Sequence, residues 1–253
     1  MQPTAATPAT ATPPAPLSKK YFYPRWPWLP PVQWLRTAFQ ELIMRPLVSI
    51  LASPTISRPQ SMASTQPMLL IANHISTFDA PLVYQALPFK IRSRIAVAMS
   101  GEMLDDYLHF RNAERTTVKA PFFLPGPIIY TLLTALFNVF PLPQLRDFQR
   151  SFAHAGEALD RGYNVLVFPE GTRSADGTLA RFRAGIGLLV KESNAPVLPI
   201  ATLGLGELKT RQRGWFRSGT LQVRVGEPIV FDPGESEAAI TARLHQAIEN
   251  LMH

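Results

Sequence analysis

The chain has 253 residues, 46% hydrophobic and 17% charged, with 25 Lys and Arg against 18 Asp and Glu for a net charge of +7. It has no cysteine, which excludes disulfides, a Cys-ligated zinc site and a thiol nucleophile. The length fits one large domain plus a small appendage. The low charge points to apolar surface facing something other than water, and the basic surplus suits anionic head groups, nucleic acid or a phosphate-bearing substrate.

Residues 1–18 are an Ala/Thr/Pro tail, expected to be disordered because such a composition packs no core. It lacks the basic start and apolar centre of a secretory signal. Residues 19–52 open with Lys19, Lys20 and Arg25 among Tyr21, Phe22, Tyr23, Trp26, Trp28 and Trp34. Rings interleaved with basic residues are what a membrane–water interface selects. From Val32 to Leu51 apolar residues recur at helical spacing, interrupted by Arg36, Glu41 and Arg45. Those charges disfavour a spanning helix and favour one lying in the interface.

Residues 53–66 read as a polar linker, and a folded domain is expected over 60–253. It begins with an apolar run at 68–72, read as a buried strand, followed by NHISTFD at 73–79. His74 and Asp79 are five apart. In an unbroken helix that spacing turns two side chains about 140° away from each other. They meet only if His74 sits in a turn and Asp79 lies in the first turn of a following helix, with Ser76 or Thr77 as its N-cap. A neutral imidazole held by a carboxylate is a general base, and the end of a strand is where open α/β sheets keep their sites.

Residues 95–99 (IAVAM) read as a second buried strand, and 100–119 as helix or loop. Residues 120–145 carry no charge, but five prolines leave only 128–140 uninterrupted. That is too short to span and suits a buried helix, a re-entrant segment or the wall of a lipid tunnel. An amphipathic helix is expected at 147–161, with Phe148, Phe152, Ala155 and Leu159 on one face and Gly162 as its stop. Residues 163–168 form a strand ending in PEGTRS. A helix is expected at 179–193, with Gly185 and Gly187 allowing close approach. A strand follows at 195–204, then a basic loop at 207–217, a last strand or strand pair from Leu221, and a closing amphipathic helix at 235–251. Strands alternating with helices argue an α/β domain with a largely parallel sheet.

FPEGTRS at 168–174 repeats the design of the His stretch: a buried strand ends in a polar turn. Gly171 lets a ligand approach the backbone. Arg173 offers a planar fork matched to phosphate, and Glu170 can accept from a hydroxyl or hold an Arg. One strand end thus supplies a base and another an anion grip.

NHxxxxD followed by FPEGTRS resembles the glycerolipid acyltransferases, in particular the 1-acylglycerol-3-phosphate (lysophosphatidic acid) acyltransferases. The resemblance covers roughly residues 60–230, and APVLPI at 195–200 is similar to a further block of the family. It implies a glycerol-3-phosphate acyltransferase-like α/β fold: a mostly parallel sheet flanked by helices, with an N-terminal helical segment at the membrane interface. It also implies that His74 takes the proton from a glycerol hydroxyl while Asp79 orients the ring. The donor is an acyl-CoA or an acyl-carrier protein thioester, and the acceptor a lysophospholipid, with 1-acylglycerol-3-phosphate the default. Asn73, Glu170, Gly171, Thr172, Arg173 and Pro199 are the implied substrate-binding residues. No acyl-enzyme, metal or cofactor is required, in keeping with the absence of Cys and of a Gly-x-Ser-x-Gly elbow. The implied place is the membrane, on its cytoplasmic face. The family's usual phosphate-binding Arg in its second block has no counterpart in NVFPLPQ at 138–144, where Arg146 or Arg150 stands nearby. That departure leaves another lysolipid open as acceptor. A serine hydrolase lacks its nucleophile here. A non-catalytic lipid-binding protein is the remaining alternative, and nucleic acid is not expected as a partner, the basic-aromatic run at 211–217 being short.

Overall fold

The computed structural model describes residues 21–60, 66–109, 125–143, 148–174, 176–205 and 221–253. The Ala/Thr/Pro tail, the basic loop at 207–217, Gln144 and Arg146 lie outside these residues. A 3-10 turn at Trp26–Trp28 leads into helix α1 (Pro30–Phe39). A π-helical turn at Gln40–Met44 joins it to α2 (Arg45–Leu51). The bulge sits just before Pro46, whose missing N–H interrupts the regular ladder. Strand β1 (Thr55–Ser57) lies within what reads in the sequence as linker. Next come β2 (Leu69–Ala72), α3 (Asp79–Ala86), α4 (Phe89–Arg92), β3 (Ile95–Ser100) and α5 (Gly101–Leu108). They are followed by α6 (Gly126–Phe137), β4 (Val139–Leu142), α7 (Phe148–Asp160) and β5 (Asn164–Val167). Helix α8 (Gly185–Ser193), β6 (Val197–Leu203), β7 (Gln222–Val225) and α9 (Glu237–Met252) complete the order.

The seven strands form one sheet in the order β1-β7-β6-β2-β5-β3-β4. All pairs are parallel except β6 with β7. Alternate residues along β2 serve opposite faces. Leu69 and Ile71 join a core with residues of α7, α8 and α9. Leu70 and Ala72 join another with α3, α4 and the first turns of α5. Helices cover both faces, as a parallel sheet requires.

Three further elements differ from the sequence expectation. The apolar run 128–140 is not one helix: Asn138 adopts the left-handed conformation (φ 53°), ends α6, and turns the chain into β4. Its side chain donates to Ile95 O at 3.1 Å, and Val97 N–H donates to its carbonyl at 3.1 Å, so β4 lands beside β3. Helix α8 starts at Gly185 and not near 179, because Ala180 N–H donates to Glu170 and Arg183 N–H to Pro169 O, holding 178–183 against the turn and out of the helix. The N-cap of α3 is Phe78, without a side-chain cap; the Ser76 hydroxyl accepts from Phe78 N–H inside the turn. The close approach expected at Gly187 is real: a Cβ there would collide with the Glu237 carbonyl of α9.

The N-terminal helices are part of the folded body. Arg25 forms an ion pair with Glu157, and Tyr163 donates to Gln33 at 3.0 Å. Trp28 stacks on His154 with ring centres 4.7 Å apart. Glu41 takes Arg92 of α4 and Arg45 at 2.6 Å each. Among the described residues no helix is long and apolar enough to cross a membrane.

Candidate active site

β2 and β5 are neighbours at the centre of the sheet, so the turns that follow them emerge side by side. Asn73 extends the pairing of β2 with β6 by one residue. Its Oδ1 accepts from Thr202 N–H at 2.7 Å and from the Thr202 hydroxyl at 3.1 Å, and its Nδ2 donates to Thr202 O at 2.9 Å. Asn73 thus fixes where the turn begins. His74 follows, and its Nδ1 lies 2.7 Å from Asp79 Oδ2. The same oxygen accepts Ile75 N–H at 2.7 Å and Ser76 N–H at 2.9 Å. Asp79 is fully buried. With two backbone donors on the same oxygen, the Asp79 carboxylate is fixed in place and orients the ring through Nδ1. The imidazole stacks on Phe168 with centroids 4.4 Å apart. The His74 side chain is 24% exposed and lines a cavity, with Nε2 not engaged by Asp79.

The second turn locks the first. Glu170 is 4% exposed and accepts His74 N–H at 2.7 Å with one oxygen and Ala180 N–H at 2.9 Å with the other. Burial raises its pKa, and the two backbone donors oppose that shift. Ser174 N–H donates to His74 O at 2.8 Å, a crossing bond in the opposite sense. Gly171 has φ +70°, and the space where its Cβ would stand is filled by the Arg183 guanidinium. No side chain fits there without displacing Arg183. Past Arg173, Asp176 accepts from Ser174, from Thr178 N–H and from the Thr178 hydroxyl. These bonds, the Thr178 hydroxyl first, hold its pKa down to about 2.

His74, Gly171, Thr172 and Arg173 line one cavity of about 2650 Å³. Roughly 300–1,000 Å³ is usual for a small-ligand site, so this space can take two large substrates. Its half-exposed apolar wall comes from α5, α6 and the end of β3: Met99, Met103, Ile129, Leu132, Leu133 and Phe137. Burial raises the pKa of Tyr107 on α5, and the positive charge of Arg173 opposes that shift. Arg181 and Arg183 add positive charge to the lining.

Of the residues singled out in the sequence, His74, Asp79, Glu170, Gly171, Thr172 and Arg173 are thus brought together. Asn73 and Glu170 are engaged by backbone groups. Pro199 is not brought to the cavity: it is buried within β6, opposite Ile71, with its carbonyl on Gly226 N–H at 2.9 Å. Arg150 lies exposed in the first turn of α7. Sequence reasoning missed Phe168 as the ring under His74 and Arg183 as the filler of Gly171. The first stood at the strand end of the motif itself; the second had no spacing signal.

The sequence model of the Acyltransferase family matches residues 53–203. A human 1-acyl-sn-glycerol-3-phosphate acyltransferase beta is 26% identical over 68% of this chain and 54% of its own length. A 1-acyl-sn-glycerol-3-phosphate acyltransferase from Pseudomonas aeruginosa is 40% identical over 37% of this chain and 35% of its own. The match to such curated relatives covers about half of their length or less. The crystal structure of the 1-acyl-sn-glycerophosphate (LPA) acyltransferase PlsC from Thermotoga maritima shares the fold, with a TM-score of 0.58 and 21% identity over 86% of this chain and 77% of that one. The paired strand-end turns and the family match across most of the sheet lead to one conclusion: this chain belongs to the acyltransferase family.

Proposed function

We propose that the protein transfers a fatty acyl group from an acyl-CoA or acyl-carrier protein thioester to the free hydroxyl of a lysophospholipid, 1-acylglycerol-3-phosphate first among them. The observation that carries this reading is the 2.7 Å His74–Asp79 contact at the floor of an apolar cavity that also receives Arg173. The acceptor hydroxyl gives its proton to His74 Nε2 as its oxygen attacks the thioester carbonyl carbon. Asp79 stabilises the imidazolium that forms. The tetrahedral intermediate collapses, the C–S bond breaks, and the leaving thiolate takes the proton back from His74. The products are an ester and a free thiol, with no covalent enzyme intermediate. Arg173 holds the acceptor phosphate beside Gly171 and Thr172. Glu170 and Asn73 keep the base and the anion site in register. The acyl chain lies along the wall of α5 and α6.

The same reading places the protein on a membrane surface, at its cytoplasmic face. What supports the membrane contact is the outward face of α1, the π turn and α2. Trp34 (73% exposed), Leu42 (75%), Leu35, Ile43, Leu47 and Ile50 project from the body, and Ile128 and Leu132 of α6 are exposed as well. Large apolar side chains exposed in this number mark a lipid or protein contact, and a helix with aromatic residues beside basic ones suits the interface.

The test supplies labelled acyl thioesters and a panel of lysolipids to the protein in vesicles, with His74→Ala in parallel. The expected loss in His74→Ala is at least about a hundredfold, the usual size of a general-base contribution. Undiminished transfer in that variant overturns the mechanism, and absence of transfer by the native protein to every lysolipid makes it a lipid-binding protein. Arg173→Ala is expected to raise the acceptor KM about tenfold or more and to leave the donor KM nearly unchanged.

A further inference from the structure

The inward stripe of α1 and the π turn holds two polar residues where a buried stripe is normally apolar. Arg36 is 1% exposed and Gln40 is 2% exposed. Both reach the same target, the C-terminal end of α6. Arg36 Nε donates to Ala135 O at 2.9 Å, and Gln40 Nε2 donates to Leu136 O at 3.1 Å. Arg36 Nη2 also donates to Pro27 O, tying the clamp to the Trp26–Trp28 turn. These are carbonyls that a helix cannot satisfy within itself. α6 has no basic residue in its last turn to complement its dipole, so Arg36 supplies from another helix the positive charge such an end favours. Directly after the clamp, Asn138 fastens the chain to β3. On its other side α6 presents Ile129, Leu132, Leu133 and Phe137 to the cavity.

We infer that Arg36 and Gln40 are positioning residues that set the acyl-chain lengths the cavity accepts, by fixing α6 as its wall from a helix that itself lies outside it. The inference rests on the proposed function, in which that wall receives a fatty acyl chain. Two hydrogen bonds and a helix-end charge decide the depth and tilt of α6. Loosening them lets Leu132, Leu133 and Phe137 move against a chain that slides past them. The chemistry at His74 is held by separate bonds, within 73–79 and 168–180, and should not change.

The experiment uses the full chain with Gln40→Leu, Arg36→Met and Arg36→Lys. Short-, medium- and long-chain acyl thioesters compete for one lysolipid in vesicles. Binding of a fluorescent long-chain fatty acid, displaced by fatty acids of graded length, is measured alongside and needs no turnover. Gln40→Leu and Arg36→Met are expected to change the long-to-short ratio of kcat/KM by about fivefold or more, the size expected for one lost hydrogen bond. The same shift should appear in the displacement series, with an unchanged pH–rate profile. Arg36→Lys, which keeps the charge and one donor to the helix end, should stay near the native ratio. Equal loss for every donor, or lower thermal stability with unaltered ratios in both assays, overturns the inference. If Arg36→Met does not fold, Gln40→Leu decides. If the native protein transfers no acyl group while the variants still shift the displacement series, the proposed function falls and the positioning role stands.

Discussion

The first helical segment and the last one use the same spacing in opposite ways. In α9 the residues at four-residue steps that face the body are Ile240, Leu244 and Ile248, all fully buried. In α1 and the π turn the corresponding inward residues are Arg36, Gln40 and Met44. The outward residues reverse as well. α9 shows Arg243, Gln246 and Asn250 to solvent, whereas α1, the π turn and α2 show Trp34, Leu35, Leu42 and Leu47. One helix sorts its residues between a core and water. The other turns polar side chains to a set of helix-end carbonyls and leaves apolar ones exposed. Period alone therefore gives a helix and a stripe, but not which stripe points inward.

The largest expected effect separates the two inward stripes from the two outward ones. Leu244→Ala should cost about 2–5 kcal/mol of stability by loss of burial and a residual cavity, read as a lower urea midpoint. Leu42→Ala should stay within about 0.5 kcal/mol in water, as surface changes do. A comparable loss at both positions would break the contrast between the helices. The next effect concerns the medium. Trp34→Glu combined with Leu42→Glu should reduce partitioning to anionic vesicles by about tenfold or more without moving the urea midpoint. Gln246→Glu on α9 should change neither. Vesicle binding that survives the double change would assign the apolar face to a protein neighbour.

The smallest effect probes the joint between the N-terminal segment and α7. Burial against Trp28 and Phe140 lowers the pKa of His154 from its ordinary 6.5 to about 4. The unfolded chain takes up this proton first, so the contribution is complete above about pH 6.5 and is lost as pH falls toward 4. The expected loss is about 1 kcal/mol by about pH 5.5, seen as a falling urea midpoint. His154→Phe should flatten that slope, and a slope that persists in the variant would place the titration elsewhere.

Much of the site was legible because its residues are close in sequence and the geometry is forced. A histidine and an aspartate five apart meet only across a turn into a helix, and the bond at 2.7 Å is that arrangement. The buried runs around 69–72, 95–100, 164–167 and 197–203 gave their strands through plain apolar patterning. What escaped depends on partners distant in sequence. Thr55–Ser57 is a strand only because β7 lies alongside it, since its own three residues carry no buried pattern. The break at Asn138 is set by β3 receiving the next residues, although the composition continues unchanged. The late start of α8 follows from Glu170, ten residues before Ala180. Arg36, Glu41 and Arg45 read as interruptions of an interfacial helix. They are its attachments: Arg36 to α6, and Glu41 to Arg92 with Arg45 alongside.

The crossed bonds between the two turns also bear on how such a protein can diversify. Glu170 holds His74 N–H while Ser174 N–H holds His74 O, so the turns that carry His74 and Arg173 form a single block bridging two neighbouring strands. Among the described residues, the hydrogen bonds that hold that block join the two turns and β6, whereas those that clamp the end of α6 come from Arg36 and Gln40. Under the proposed function, substitutions that reshape the wall or its clamp change which lipid fits while the His74–Asp79 geometry stays as it is. On that reading, inheritance of the chemistry and selection of the substrate run on separate parts of the chain.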